Sequence, residues 1–290
     1  MTKPAPTVGE VDWISLWNQL VRQREDARRP VPLPDTDDRW SARAEGYDAR
    51  MQARWAAQDS SRDFLVSLLK SLPDPTLLDI GAGSGKWTVP LAPYCRHVTA
   101  VEPSPAMHTR LTQHLRARSL AHVSVVPETW PCPGVPAHDV TLCSHAMYGF
   151  NDFAGFVRGV QAVTRHTCVW LMRAPPLDGI MAEAARRVQG HPYDSVNFHI
   201  AINALLQMGL FPNVRMEDPR TWDPWEHGSV AEALTEVKRR LRLYDDTTHD
   251  AFLNDLLERR LIRRGGRYVW PCGTHAALLY WRVNPEDSHA

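Results

Sequence analysis

The sequence carries no net charge, with 33 Lys and Arg set against 33 Asp and Glu. That balance excludes the global basic field on which most nucleic-acid binders rely, though a local basic face remains open. Five cysteines, Cys95, Cys132, Cys143, Cys168 and Cys272, form no CxxC pair and are odd in number. Neither a disulfide framework nor a clustered zinc site is suggested, and reduced structural thiols in a cytoplasmic protein are expected. No apolar run approaches the roughly 18 residues of a membrane span, and the opening MTKPAPTVGE lacks the apolar core of a secretion signal. Targeting and membrane insertion are not expected. Internal repeats and a proline-rich linker are also missing. The 23 prolines are scattered between apolar runs, where they punctuate a folded chain.

What is present is ordinary in bulk and informative in order. The chain has 290 residues, 43% hydrophobic and 23% charged, enough for a substantial core. Residues 11–24 predict an amphipathic helix with Trp13, Leu16, Trp17 and Leu20 in its apolar stripe. A charged, proline-broken connector follows, then a helical pattern over 40–57. Ser60 or Ser61 is expected to cap a helix bearing Phe64, Leu65, Leu68, Leu69 and Leu72. Strands are predicted at 77–80, 97–101, 123–126, 140–143 and 168–172. Between them lie a helix opened by Ser104-Pro105, burying Met107, Leu111 and Leu115, and another around Phe153, Phe156, Val157 and Val160. Strands alternating with helices imply a doubly wound, mostly parallel α/β sheet. After Pro175 the rhythm changes to helices at 178–189 and 195–208, a strand near Val214, and charged helices at 230–243 and 247–262. Apolar strands at 268–270 and 276–283 are expected to complete the sheet in antiparallel sense. The expected organisation is an N-terminal extension over 1–39 and one domain over 40–290, with 176–210 as a lid insertion.

The sharpest site signal is Leu77-Leu78-Asp79-Ile80-Gly81-Ala82-Gly83-Ser84-Gly85, a strand entering three alternating glycines. Such a loop lets backbone approach a ligand where a Cβ would collide. It is neither a phosphate-binding Walker loop, since Lys86 precedes Trp87, nor a dinucleotide GxGxxG fingerprint, since Lys86 stands at the third glycine. Its partner is Glu102, at the end of the next strand about 20 residues on. There a carboxylate can accept hydrogens from both ribose hydroxyls.

This pairing resembles the class I S-adenosylmethionine-dependent methyltransferases. The motifs are LLDIGAGSG at 77–85, VTAVEPS at 98–104, VVPETWP at 125–131 and HDVTLCSHAMYGF at 138–150. The resemblance implies a seven-stranded Rossmann-like sheet and S-adenosyl-L-methionine as cofactor, released as S-adenosyl-L-homocysteine. It implies that Asp79, Gly81, Ala82, Gly83 and Gly85 cradle the methionine part and that Glu102 binds the ribose. It places Glu128 and Thr129 at the adenine edge, in positions where many members carry Asp-Ala, with Pro103 beside the ring and Ser144 at the cofactor. Trp40 to Asp48 resembles a family helix whose tyrosine, here Tyr47, closes over the cofactor. Met107 is expected in the helix core rather than on the adenine.

Methyl transfer from a sulfonium requires alignment and exclusion of water, with a base only where the nucleophile must lose a proton. The loop after the fourth strand, Ser144 to Tyr148, is the expected catalytic edge. His145 is the candidate base, Tyr148 a candidate for orienting substrate or covering the cofactor, and Arg173 a candidate for a substrate carboxylate or phosphate. A pocket-lining role for His145 and a surface ion pair for Arg173 remain alternatives. His191, Tyr193, His199 and Asn203 form a candidate polar lid wall. No metal is expected, because carboxylates after the fifth strand are absent. A small or medium-sized acceptor is the expected partner. Two rival readings remain. One is a non-catalytic cofactor-binding partner protein docking through the tryptophan helix. The other is an RNA methyltransferase using the late basic residues Lys238 to Arg242 and Arg259 to Arg267, which also alternate with acids.

Overall fold

The computed structural model describes residues 11–26, 59–217, 224–271 and 273–283. The helical pattern over 40–57, Tyr47 and Cys272 lie outside the described residues. The chain order is α1 (Trp13–Asp26), α2 (Ser60–Lys70), β1 (Thr76–Ile80), α3 (Thr88–Leu91), β2 (His97–Val101), α4 (Pro105–Ala117), β3 (Val123–Val126) and β4 (His138–Ser144). Then come α5 (Phe153–Ala162), β5 (Thr164–Ala174), α6 (Ile180–Gln189), α7 (Phe198–Gln207), β6 (Asn213–Met216) and β7 (Glu226–His227). The chain continues with α8 (Val230–Leu241), α9 (Asp250–Arg260), β8 (Ile262–Arg264), β9 (Arg267–Val269) and β10 (His275–Arg282).

Seven strands form one mixed sheet in the order β3-β2-β1-β4-β5-β10-β6. The first five are parallel; β10 runs antiparallel to both β5 and β6. The central strands β1, β4, β5 and β10 are mostly buried because both faces are covered, whereas the edge strand β6 is exposed throughout. Successive residues divide between the two faces. Leu77 and Val169 pack with Leu65 and Leu69 of α2 and with Leu91 of α3, while Leu78 and Trp170 pack with Trp17 of α1, Phe153 of α5 and Ala204 of α7. Ser104 caps α4 by accepting from Met107 N–H, Pro105 fills the first turn, and Met107, Leu111 and Leu115 are buried.

Several expectations are corrected. The cap of α2 is Asp59, which accepts from Arg62 N–H, so Ser60 and Ser61 are freed to donate their hydroxyls to Glu217. The apolar segment near 268–270 does not join the main sheet. Instead β9 sits between β7 and β8 in a separate three-stranded sheet, and only β10 and β6 complete the large one. The two helices of the 176–210 region join different cores. Helix α6 shares a core with α8, α9 and Trp270, whereas α7 packs into the core containing α1.

Helix α1 is built into the fold. Trp17 is 1% exposed, donates its indole N–H to Phe150 O at 2.9 Å, and lies 4.9 Å from the Phe153 ring. Asn18 accepts from Phe153 N–H, and Trp13 N–H donates to Gln207. The tryptophan expected to serve partner docking is spent inside the protein.

Candidate active site

Parallel strands β3, β2, β1, β4 and β5 all end at the same sheet edge, so Glu128, Glu102, the glycine loop, Ser144 to Tyr148 and Arg173 are brought to one side by topology alone. The loop after β1 is held to the end of β2: the N–H groups of Gly81 and Ala82 both donate to Val101 O, at 2.8 and 3.1 Å. Gly81, Gly83 and Gly85 all have positive φ, at 73°, 60° and 96°. Side-chain-bearing residues pay to enter that region, which is why glycines recur there.

The glycines have different neighbours. A Cβ on Gly81 would stand 2.3 Å from Ala146 Cβ, so the loop after β1 is pressed against the loop after β4. A Cβ on Gly85 would meet Leu111 at 2.7 Å and Val89 at 2.9 Å, so this glycine lets α4 pack closely. Glu102 is buried and accepts two backbone hydrogens, Gly83 N–H on Oε2 at 2.7 Å and Ser104 N–H on Oε1 at 2.8 Å. Each carboxylate oxygen has two acceptor sites. Loop and carboxylate are thus one hydrogen-bonded unit, and a carboxylate so held fits the diol of a ribose.

Asp79 is fully buried and accepts from the Thr88 hydroxyl at 2.6 Å. Burial raises its pKa to about 6, Thr88 opposes that shift, and the nearby Glu102 charge adds to it. Its bond to Thr88 ties the end of β1 to α3. Ser144 accepts from the Trp87 indole at 2.8 Å, which fixes another contact across the β1–β4 edge. Ala82 is buried, whereas Pro103, Glu128 and Thr129 are exposed at the strand ends. Met107 is buried in α4, as expected.

His145 follows β4 in the left-handed region, φ 57°, with its N–H donating to Leu171 O. A non-glycine residue there is uncommon and marks a locally constrained site. Its Nδ1 lies 2.9 Å from Tyr148 Oη, and the same oxygen accepts Arg173 N–H at 2.8 Å. Arg173 N–H can only donate, so the phenol oxygen accepts there, and with its proton and remaining lone pair it can pair with either tautomer of His145 at Nδ1. Burial pushes the Tyr148 pKa up to about 12, which keeps the phenol protonated. The Arg173 guanidinium stands 5.1 Å over the Tyr148 ring and donates through Nη2 to Ser195 Oγ at 2.9 Å and to Val196 O. No surface ion pair involves Arg173 among the described residues.

Residues 195–199 lie at this same edge. His199 Nε2 donates to Pro175 O at 2.9 Å, and Asn203 donates to His199 O. Tyr193 stacks with His191 and meets Trp13 of α1 edge-on. His199 thus ties the segment to Pro175 just after β5 and Tyr193 ties it to α1, while His191 and Asn203 make their contacts within the segment. Sequence reasoning missed Trp87, Thr88 and Ser195, whose types are common and whose partners are distant in sequence. The late basic residues are mostly paired: Lys238 with Asp250, Arg239 and Arg240 with Glu236, Arg259 with Asp255, Arg260 with Glu183, and Arg267 with Glu226. These pairs stitch the surface, while Arg263 and Arg264 of β8 are exposed.

Burial raises the pKa of Cys95 and of Cys168 to about 12, so these thiols stay protonated. No described helix is long and apolar enough to cross a membrane.

Residues 77–167 match the family model described as a methyltransferase domain. No match is found among the curated proteins. The chain is similar to the YcgJ protein of a Bacillus species, with 16% identity and TM-score 0.52, over 78% of this chain and 98% of that one. It is similar to a suspected methyltransferase from Bacillus halodurans, with 13% identity and TM-score 0.53, over 78% and 99% of the two chains. A further similar structure, with 13% identity and TM-score 0.46 over 77% and 91%, is a SAM-dependent methyltransferase from Thiobacillus denitrificans in complex with S-adenosyl-L-homocysteine. At these identities the likeness to solved structures concerns the fold, and the matched segment holds both the glycine loop and Glu102. The chain therefore carries a methyltransferase domain over residues 77–167 and shares the fold of these solved structures.

Proposed function

We propose that this protein is a class I S-adenosylmethionine-dependent methyltransferase, and that it methylates a small or medium-sized molecule seated at the carboxyl ends of β4 and β5. The observation that carries the reading is the hydrogen-bonded series His145–Tyr148–Arg173, joined to residues 195–196 and standing beside the glycine loop. When bound, S-adenosyl-L-methionine supplies an electrophilic methyl group on a sulfonium for in-line displacement by the acceptor. Glu102, with Gly83 fixed to it, would hold the ribose. Asp79, Gly81, Ala82 and Ser144 would shape the methionine end, with Gly85 setting how closely α4 approaches. Pro103, Glu128 and Thr129 would border the adenine, and Tyr47 is carried as a covering residue by resemblance alone.

His145 and Tyr148 divide the catalytic work. Where Tyr148 donates to Nδ1, Nε2–H of His145 donates a hydrogen bond that orients the acceptor; where His145 donates from Nδ1 to the phenol, Nε2 is the general base. Tyr148 is a positioning residue. Arg173 supplies positive charge next to the acceptor. Residues 176–210 are proposed to cover the site, with His199 and Ser195 as the latches and α6 supported from behind by α8 and α9. A cytoplasmic location and a domain spanning 40–290 complete the proposal. The burial of Trp17 weighs against the partner-protein reading, and the pairing of most late basic residues weighs against the RNA reading.

The test is incubation of the purified enzyme with methyl-labelled cofactor and a metabolite extract, followed by mass-resolved detection of the label. Label in a low-mass product that disappears with Glu102→Ala supports the proposal. Label only in RNA or protein, or none anywhere, contradicts it.

A further inference from the structure

We propose that a cavity on the far side of Arg173 binds an organic monocarboxylic acid with a flat unsaturated body, its carboxylate on the free edge of the Arg173 guanidinium. The proposal deepens the small-molecule reading above and rests on it. The cavity measures about 460 Å³ and lies between the end of β5 and the C-terminal layer, walled by Arg173, Pro176, Ser195, Trp225, Arg240 and Trp270. That volume suits a small organic ligand. None of its walls belongs to the glycine loop or to Glu102, so it is a compartment beside the cofactor cradle, with Arg173 at their junction.

Charge accounting in the wall points to an anion. Arg240 is paired with Asp194 at 3.1 Å and with Glu236 at 2.9 Å, and Arg260 with Glu183 at 2.9 Å. Arg173 has no carboxylate within ion-pair distance among the described residues. Asp194 reaches it only through the Ser195 hydroxyl, which donates to Asp194 Oδ1. The Nη2 of Arg173 is used on Ser195 and Val196, its Nε is buried without an acceptor, and Nη1 has no partner yet is not sealed from solvent. A half-buried guanidinium with an open edge takes a planar carboxylate well. A doubly charged phosphate is disfavoured, because it would also face Asp194 and the exposed Asp178 at the rim.

The remainder of the wall favours a flat apolar body. Trp225 and Trp270 meet edge to face with centroids 5.1 Å apart, and prolines line the adjacent wall. The Arg240 guanidinium lies 3.9 Å from the Trp225 ring centroid and holds that ring in place. Trp270 Nε1 is buried with no acceptor, so both unsatisfied polar atoms of the wall are donors. A guest bearing acceptor oxygens on an unsaturated frame answers that pattern.

The test is calorimetric titration of benzoate, cinnamate and indole-3-acetate, each against its primary amide, into enzyme saturated with S-adenosyl-L-homocysteine. At least one acid should bind about tenfold tighter than its amide. Arg173→Gln should abolish that preference, while Trp225→Leu should weaken acid and amide alike by about threefold or more. Both variants should hold S-adenosyl-L-homocysteine within about threefold of the parent. Equal binding of acid and amide, no binding by any of the three acids, or a preference that survives Arg173→Gln overturns the proposal. Should Arg173→Gln lose the cofactor product through misfolding, the acid–amide comparison on the parent enzyme and on Trp225→Leu still decides. Methylation of an uncharged small molecule without acid binding would sink this inference alone, whereas acid binding without any methylated small molecule would sink the broader reading.

Discussion

Gly81 and Ala146 occupy one another's space: a Cβ on the first would stand 2.3 Å from the Cβ of the second. The contact locks the loop after β1 to the loop after β4, which are the proposed cofactor loop and the proposed catalytic loop. Gly81→Ala must therefore move both. The left-handed φ of 73° costs about 1–2 kcal/mol for any side chain, before the clash is counted. The expected outcome is a lower thermal midpoint together with weakened S-adenosyl-L-homocysteine binding. Gly134→Ala, where nothing lies within 4 Å of the new Cβ, should lower the midpoint by its φ penalty and leave binding unchanged.

Asp79 makes stability pH-dependent in an unusual direction. Its native pKa of about 6 lies above the ordinary 3.8, so the folded state holds the proton more tightly than the unfolded state. The contribution is fully present below about pH 4 and is lost as pH rises through about 6, on the order of 3 kcal/mol in all. In cofactor-free protein, Asp79→Asn should be more stable than the parent at pH 7, and the gap should close toward pH 4. Urea denaturation of both proteins across that range checks this, and a gap that is constant with pH would contradict it.

Trp17 anchors α1 between Phe150 and Phe153. Trp17→Ala removes a fully buried indole and leaves Phe150 O without its donor, so a loss of about 3–5 kcal/mol is expected in chemical denaturation. A partner-docking helix would instead tolerate the change with stability nearly intact.

The parallel half of the fold was legible in the sequence because each strand there is a short apolar run closed by Gly, Glu-Pro or a helix cap. Strands at 97–101 and 123–126 occur where the pattern placed them. The segment 268–270 was misplaced because an apolar run of three residues does not say which sheet it joins. Periodicity is local, whereas the pairing of β9 with β7 and β8 is not. The glycine loop and Glu102 were legible as a spaced pair. The bond from Tyr148 to both His145 and Arg173 was not, since it depends on the phenol reaching across two strands. The cavity wall was equally hidden: Trp225 and Arg240 meet only after α8 folds back.

Tyr148→Phe removes the partner of His145 Nδ1 and leaves the Arg173 N–H without its acceptor. Turnover should fall by about tenfold or more while the cofactor dissociation constant changes little. His145→Ala should cost about 10²-fold in kcat through loss of a donor or of a base. Steady-state kinetics on the two variants checks both losses.

The central claim is that Glu102, fixed by Gly83 and Ser104, seats the ribose of S-adenosyl-L-methionine. Calorimetric titration of S-adenosyl-L-homocysteine into the parent enzyme and into Glu102→Ala tests it most directly. The account predicts stoichiometric binding by the parent and a loss of about 1.5–3 kcal/mol in the variant. Equal affinity in a Glu102→Ala protein that retains the parent's circular dichroism would contradict it.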